Sequence, residues 1–133
     1  DYNSDKYWDN FDGESCKHDT AWIVVGFPRY SLRLKYYTIS PKQLKKNFRP
    51  PKSWKIYGSN DPSHFNESDL VDYVKEAPTM NILDKINTFE VKGKAKPYSY
   101  FKFVMIENYS TKKLDAGDFN ISALEFFGIL THL

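Results

Sequence analysis

The sequence has only one cysteine, Cys16. No disulfide can form within the chain, so its stability does not depend on an oxidising compartment. A nucleophilic thiol would need a histidine partner brought to it by the fold, and no motif in the sequence marks one. We interpret Cys16 as a structural or surface thiol, and the lack of disulfides favours a cytoplasmic location.

The sequence also lacks the basic and then apolar opening of a signal peptide, and it does not begin with methionine. The length of 133 residues suits one domain with one core. We therefore expect residues 1–133 to form a single domain that is part of a longer protein.

Long apolar runs and an excess of one charge are missing as well. No run approaches the length of a membrane-spanning helix, and the mean hydropathy is −0.63. The formal net charge is only +2, whereas nucleic-acid-binding domains usually carry a clear basic excess. We expect neither a transmembrane segment nor a nucleic-acid partner.

Motifs with a catalytic or metal-binding mechanism are absent. The three histidines are His18, His64 and His132, and none lies in the spacing of a metalloprotease motif. Cys16 with one histidine cannot complete a zinc site. Two pairs of carboxylates are close in sequence, Asp115 with Asp118 and Asp9 with Asp12. They could serve a calcium or acid–base role, although exposed turns are the simpler interpretation. No glycine-rich loop precedes a helix. The sequence predicts no catalytic residue, no metal and no cofactor, so we do not expect an enzyme.

Aromatic residues, in contrast, are abundant at 17% of the chain, and they favour pleated, half-buried surfaces. Short segments with alternating or continuous apolar residues are bounded by turn formers, which is typical of strands. These segments are 21–27, 32–39, 53–58, 88–93, 99–106 and 121–130. In the second of them, Leu32, Leu34 and Tyr36 alternate with Arg33 and Lys35, which predicts one covered face.

Residues 69–75 fit either a helical turn or a short strand, because periodicity cannot decide for so short a run. No long amphipathic helix is evident elsewhere. Many short strands with regular turn signals predict an all-β fold, either a sandwich or a barrel.

Four motifs in order resemble the discoidin family, also called coagulation factor five/eight type C domains. They are W-I-V-V-G-F at 22–27, P-K-S-W-K-I-Y-G-S-N-D at 51–61, Y-F-K-F at 100–103 and L-E-F-F-G at 124–128. In addition, Asp1 with Tyr7 and Trp8 resembles the family's D-G-x-x-x-x-Y-W region, with Tyr2 in place of the glycine. The resemblance covers essentially the whole chain.

The resemblance implies a jelly-roll β-sandwich of antiparallel strands, the galactose-binding-like fold, without catalytic activity. It begins after the family's opening strand, so we expect that strand to be lacking and one sheet edge to be incomplete. Extracellular members often join their two ends by a disulfide, and neither end here has a cysteine. This difference favours the intracellular branch of the family, and the Lys-, Asn- and Tyr-rich style of the sequence resembles protist members.

A basic loop is the first candidate binding site. Residues 40–52 place five basic side chains around Leu44 and Phe48: Lys42, Lys45, Lys46, Arg49 and Lys52. Basic groups around an apolar tip can bind an anionic surface such as lipid headgroups. A solvated loop kept soluble by its charge is the alternative. In the resembled family, the loop at this place faces the ligand.

Aromatic residues near the start of the chain supply a second candidate. An exposed ring such as Tyr7 could stack on the apolar face of a sugar, whereas Trp8 is expected to close the core. Lys113, in the loop 108–120, would lie at the same end of the sandwich under the family's topology. The predicted ligand-binding residues are Tyr7, Lys45, Lys46, Phe48, Arg49 and Lys113.

We therefore predict a non-catalytic recognition module that binds a glycan or another small polar or anionic group through loops at one end of a sandwich. Arg49 and Lys46 would supply charged hydrogen bonds, and Phe48 or Tyr7 would stack. The alternative is an intracellular adaptor domain that binds protein and has no small ligand, which would need an exposed apolar patch on the sandwich.

Overall fold

A computed structural model describes residues 8–9, 22–41, 50–80, 85–93, 95–109 and 120–133. These residues form eight strands and one short 3-10 helix, Glu67–Asp69. The strands are β1 (Trp8–Asp9), β2 (Trp22–Gly26), β3 (Tyr30–Pro41), β4 (Pro51–Ser59), β5 (Leu70–Val74), β6 (Asn87–Glu90), β7 (Tyr100–Asn108) and β8 (Asn120–His132).

The strands build two antiparallel four-stranded sheets with the orders β1-β8-β3-β6 and β2-β7-β4-β5. The predicted all-β, antiparallel β-sandwich is thereby confirmed. The six segments predicted as strands overlap β2, β3, β4, β6, β7 and β8, although β6 ends at Glu90 and not at residue 93. The expected lack of the family's opening strand stays a prediction.

The core lies between the sheets and is rich in aromatic side chains. Trp54, Phe101 and Phe103 of one sheet and Tyr37 of the other are all fully buried. The Trp54 ring is stacked on Phe103 at 5.6 Å between centroids and meets Phe89 edge-on at 4.8 Å. Parallel-offset and edge-on contacts of this kind add to the stabilisation from burial itself.

The ambiguous segment 69–75 contains both structures that its sequence allowed. The 3-10 helix ends at Asp69, and β5 begins at Leu70. Two tyrosine hydroxyls hold the helical turn: Tyr57 donates to Glu67 at 2.8 Å, and Tyr98 donates to Asp69 at 2.9 Å. Tertiary hydrogen bonds therefore decide what local periodicity left open.

The predicted inward position of Tyr36 is wrong. A bulge in β3 lies opposite β8, where Leu34 pairs with Gly128 and Tyr36 pairs with Phe127. The extra residue, Lys35, reverses the alternation, so Tyr37 is buried and Tyr36 is 43% exposed. Two consecutive side chains, Lys35 and Tyr36, consequently lie on the outer face of the sheet, as bulges permit.

Strand register also defines the two ends of the sandwich. Asp9, Trp22, Pro41, Pro51, Val74, Asn87, Asn108 and Asn120 are the strand termini at one end, which we call the loop end. The opposite end holds the short β2–β3 connection, the β4–β5 connection and the end of β8.

Candidate functional site

All six predicted ligand-binding residues lie outside the described residues: Tyr7, Lys45, Lys46, Phe48, Arg49 and Lys113. The same holds for Cys16, His18, Asp12, Asp115 and Asp118, and for Lys42 and Leu44 of the basic loop. The residues that flank these segments are described, so their place in the fold is known.

The flanking residues converge at the loop end. Ile121 of β8 pairs with Pro41, which precedes segment 42–49, and also with Trp8, which follows Tyr7. On the other sheet, the amide of Tyr109, which precedes segment 110–119, donates to the carbonyl of Pro50 at 3.1 Å. The chain therefore leaves and re-enters the frame at one end of the sandwich for segments 42–49 and 110–119. Trp8, which follows Tyr7, lies within one residue pair of the same end.

Polar side chains of the frame cluster at this end around Glu107. The Lys52 Nζ lies 3.9 Å from Glu107 Oε2, and the Ser53 hydroxyl donates to Glu107 Oε1 at 3.0 Å. The Ser53 Oγ in turn accepts the amide of Glu76 at 3.0 Å. The Lys52 and Glu107 side chains are 29% and 48% exposed, so both charges remain open to a ligand.

Tyr109 connects this cluster to the segment after β5. Its ring lies 5.5 Å from the Lys52 Nζ, within range of a cation–π contact. Its hydroxyl donates to the Ala77 carbonyl, and the Ala77 amide donates to the Lys52 carbonyl at 2.8 Å. Glu76 has φ 54°, a left-handed conformation that these flanking bonds stabilise. We call Lys52, Ser53, Glu76, Glu107 and Tyr109 the polar ledge.

The predicted place of Lys52 in the basic loop is wrong, because Lys52 belongs to β4 and forms an ion pair with Glu107. Glu107 and Tyr109 were missed altogether. The signal available for Glu107 was its place as a carboxylate directly after the apolar run 103–106. Its partner could not be inferred, because the β4–β7 register brings them together.

Three described tyrosines have raised pKa values and donate hydrogen bonds to carboxylates within the fold. Burial raises the pKa of Tyr57 and Tyr98 to about 12, and their bonds to Glu67 and Asp69 act in the same direction. Burial likewise raises the pKa of Tyr37, whose hydroxyl donates to Asp72 at 2.6 Å. These tyrosine–carboxylate bonds link the strands to one another and to the 3-10 helix.

The two described histidines are exposed. His64 lies in the β4–β5 connection, as expected for a solvated loop residue. His132 instead ends β8, where its ring meets Tyr30 edge-on at 5.0 Å. Within the described ranges, no group of three histidine, cysteine or acidic side chains could hold a metal ion. No helix among those residues is long and apolar enough to span a membrane.

The outer face of the β2-β7-β4-β5 sheet carries exposed aromatic rings covered by lysines. Trp22 is 41% exposed and Tyr73 is 48% exposed. The Lys102 Nζ lies 5.1 Å from the Trp22 ring, and the Lys55 Nζ lies 5.2 Å from the Tyr73 ring. Charges therefore interrupt the apolar patch that the adaptor alternative needs on this face.

No protein-family model matches the sequence, and no curated protein is significantly similar to it. Solved structures do match. The C-terminal domain of a chitobiase from Bacteroides fragilis is 16% identical with a TM-score of 0.66, over 99% of this chain and 78% of that chain. A point mutant of chitosan-binding module 1 from a chitosanase/glucanase of Paenibacillus sp. IK-5 is 15% identical with a TM-score of 0.65, over 96% of this chain and 80% of that chain.

A third match is the family 32 carbohydrate-binding module of C. perfringens NanJ, solved in complex with galactose. It is 14% identical with a TM-score of 0.61, over 95% of this chain and 79% of that chain. At such identities the likeness shows the fold alone, since one fold carries many functions. The chain is an antiparallel β-sandwich of the galactose-binding-like fold.

Proposed function

We propose that this domain is a non-catalytic recognition module that binds a glycan, or another small polar or anionic group, at its loop end. One observation carries the proposal: Trp8, Pro41, Pro50, Tyr109 and Asn120, which flank the segments with the predicted binding residues, meet at one end of a rigid sandwich. Loops on such a scaffold are the usual place for recognition.

The proposed site combines stacking with charged hydrogen bonds. Phe48 or Tyr7 would stack on the apolar face of a sugar ring, and Arg49 and Lys46 would donate to its oxygens. Lys45 and Lys113 would complete the basic lining. The polar ledge would add the Glu107 carboxylate as an acceptor beside the Lys52 donor.

Fold likeness supports a sugar ligand in particular. One similar structure is named for chitosan binding, and another was solved with galactose. We further propose that the chain belongs to the discoidin branch of this fold. Its four family-like motifs lie in β2, in β4 with the following turn, in β7 and in β8. These strands come from both sheets of the sandwich. The cytoplasmic location and the protist-type branch stay predictions.

The test is a glycan array combined with sedimentation on phosphatidylserine vesicles, using the full chain. We expect retention on at least one glycan, and a loss of signal of tenfold or more in Arg49→Ala and Lys46→Ala. Arg29→Ala is the matched control, because Arg29 is exposed between β2 and β3 at the opposite end. Retention on vesicles alone would assign the site to an anionic headgroup.

Two outcomes would contradict the proposal. If neither glycans nor vesicles retain the wild-type chain, the loop end is not a small-ligand site, and the protein-binding adaptor becomes the better account. If a ligand binds and both loop variants bind it like the Arg29→Ala control, the ligand lies elsewhere on the molecule.

A further inference from the structure

An open pocket of about 690 Å³ lies on the outer face of the β1-β8-β3-β6 sheet. Tyr36 and Lys35 of β3 line it, together with Thr88 and Glu90 of β6 and Lys92 just beyond. We call it the sheet-face pocket. Tyr36 precedes the end of β3 by five residues, which is about 17 Å along a strand, so its ring lies well away from the Pro41 terminus. Of the lining residues, Thr88 comes nearest to the loop end, beside Asn87.

The β3 bulge creates the pocket by presenting Lys35 and Tyr36 side by side. Without the bulge, one of the two would point into the core. The Val91 amide donates to the Lys35 carbonyl at 2.8 Å, which fixes the bulged backbone against the end of β6. On the other side, the bulge lies over Gly128, where any Cβ would come within 2.0 Å of the Arg33 carbonyl oxygen.

The Tyr36 ring is held in a defined orientation. It is stacked on Phe127 of β8, with 4.9 Å between centroids and 12° between planes. Because β3 lies between β8 and β6, Phe127 supports the ring from one side, and the pocket residues Thr88 and Glu90 lie on the other. A supported and 43% exposed ring can receive a ligand without first losing much side-chain freedom.

Polar groups of both kinds surround this ring. Glu90 pairs directly with Tyr36 across the strands, so its carboxylate is an acceptor beside the ring. Lys35 and Lys92 supply donors, and the Thr88 hydroxyl can do either. Phe89, between the two exposed β6 residues, packs inward on Tyr37 at 5.4 Å, so the sheet itself fixes the spacing of Thr88 and Glu90.

A pyranose has the matching chemistry, since it offers an apolar C–H face to a ring and hydroxyl groups along its edge. We propose that the sheet-face pocket is a second saccharide site, in which Tyr36 stacks on a pyranose and Glu90, Lys35 and Lys92 hydrogen-bond its hydroxyls. An aromatic platform with a few convergent polar groups is the usual composition of a small-ligand site. This site does not depend on the loop end.

The test is amide-resolved NMR of the full, isotope-labelled chain, titrated with galactose, chitosan trisaccharide and mannuronate trisaccharide. At least one probe shifts the amides of Lys35, Tyr36, Glu90 and Lys92 in a saturable way. Tyr36→Ala weakens that affinity tenfold or more, and the near-isosteric Glu90→Gln weakens it severalfold. Tyr73→Ala, which removes an equally exposed tyrosine from the other sheet, leaves it unchanged.

Thermal unfolding of each variant shows whether a lost signal reflects a lost fold; Glu90→Gln keeps the test decisive if Tyr36→Ala is unstable. The proposal is overturned if no probe shifts these amides, or if both variants bind like wild type. The double variant Phe48→Ala/Arg49→Ala separates the two sites. Shifts that persist in it support an independent site, whereas shifts that vanish with it reveal an indirect effect of the loop end.

Discussion

The buried hydroxyl of Tyr37 joins three strands from both sheets. It accepts the Trp54 Nε1–H at 2.8 Å and donates to Asp72 Oδ2 at 2.6 Å. Tyr37 and Trp54 are fully buried, so neither group could turn to water if the other were removed. Buried polar groups that lose a partner carry the full cost of desolvation.

Tyr37→Phe therefore tests the energetic value of this link. The substitution leaves the Trp54 Nε1–H without its acceptor, and we expect a loss of about 1–3 kcal/mol in the free energy of unfolding. Urea unfolding at neutral pH measures it. Tyr73→Phe, at an exposed position, should change stability by less than about 0.5 kcal/mol; equal effects of the two variants would show that the link is unimportant.

Asp72 adds a pH dependence to the same link. Burial raises the pKa of its carboxyl above the ordinary 3.8, although the hydrogen bonds from Tyr37 and the Tyr73 backbone and the charge of Lys92 oppose the shift. A raised pKa means that the folded state binds this proton more readily than the unfolded state does. The carboxyl therefore stabilises the fold least when it is charged, above its raised pKa.

Asp72→Asn removes this titration while keeping an acceptor for Tyr37. We expect the variant's stability, relative to wild type, to improve as the pH rises from below 3.8 through the raised pKa to 7. Urea midpoints at acid and neutral pH measure the trend. A relative stability that stays constant or falls over this interval would contradict the assigned direction of the pKa.

Among the structural elements, β3 is a strand whose existence the sequence pattern predicts but whose bulge it does not. Alternation predicted the strand itself, but it placed Tyr36 inside, where the structure has Tyr37. Two adjacent tyrosines give the same apolar signal in either register, so the pattern cannot locate a bulge. Gly128, on the partner strand, is the residue that makes the bulge sterically possible, and sequence alone does not reveal that pairing.

Gly128→Ala tests the bulge. Its Cβ would lie 2.0 Å from the Arg33 carbonyl oxygen, a backbone contact that only movement of the strand can relieve. We expect a loss of more than about 2 kcal/mol in the free energy of unfolding. Gly93→Ala is the comparison. A Cβ at Gly93 would meet no atom within 4 Å, but the backbone there has φ 88°, so we expect a loss of about 1–2 kcal/mol in the free energy of unfolding. A Gly128→Ala cost at or below that level would contradict the argument.

The polar ledge shows the opposite limit of sequence reasoning. Its Lys52–Glu107 and Ser53–Glu107 contacts join residues more than fifty positions apart. Local periodicity predicts that β4 and β7 exist, but only their register, with its shifts beside Ser53, brings these side chains together. The basic loop, whose residues follow no strand period, could be recognised only by composition and by family resemblance.

At the scale of the whole molecule, the two ends differ in character. The end opposite the loops is held by tyrosine–carboxylate bonds, from Tyr57 to Glu67 and from Tyr98 to Asp69. The loop end carries the connections that contain most of the predicted binding residues, 42–50 and 109–119. The end opposite the loops is thus stabilised by these bonds, whereas recognition is proposed for the loop end.

The two tyrosines at the end opposite the loops, Tyr57 and Tyr98, should make the stability of the fold depend on alkaline pH. Both phenols have pKa values raised from 10.0 to about 12 in the folded state. Their contribution to stability is fully present below pH 10 and is lost as the pH rises towards 12. Urea unfolding at several alkaline pH values should show this decline, reduced in the Tyr57→Phe/Tyr98→Phe double variant. An equally steep decline in the double variant would contradict the assignment of this loss of stability to Tyr57 and Tyr98.

Fold and function differ in how much the sequence could predict. Alternation, turn residues and four ordered motifs were sufficient for an antiparallel sandwich, because burial imposes a period on the chain. Ligand choice depends on where side chains from several loops come together in space. No repeating pattern in the sequence shows which loop side chains do so.

The most direct test of the central claim is calorimetric titration of the chain with galactose and with chitosan trisaccharide. A Tyr36→Ala background keeps the sheet-face pocket from contributing heat. At least one sugar should bind in this background, and adding Phe48→Ala/Arg49→Ala should weaken binding tenfold or more, while adding Arg29→Ala should not. Absence of binding at millimolar sugar, or equal binding by the loop variant and the Arg29→Ala control, would contradict glycan recognition at the loop end.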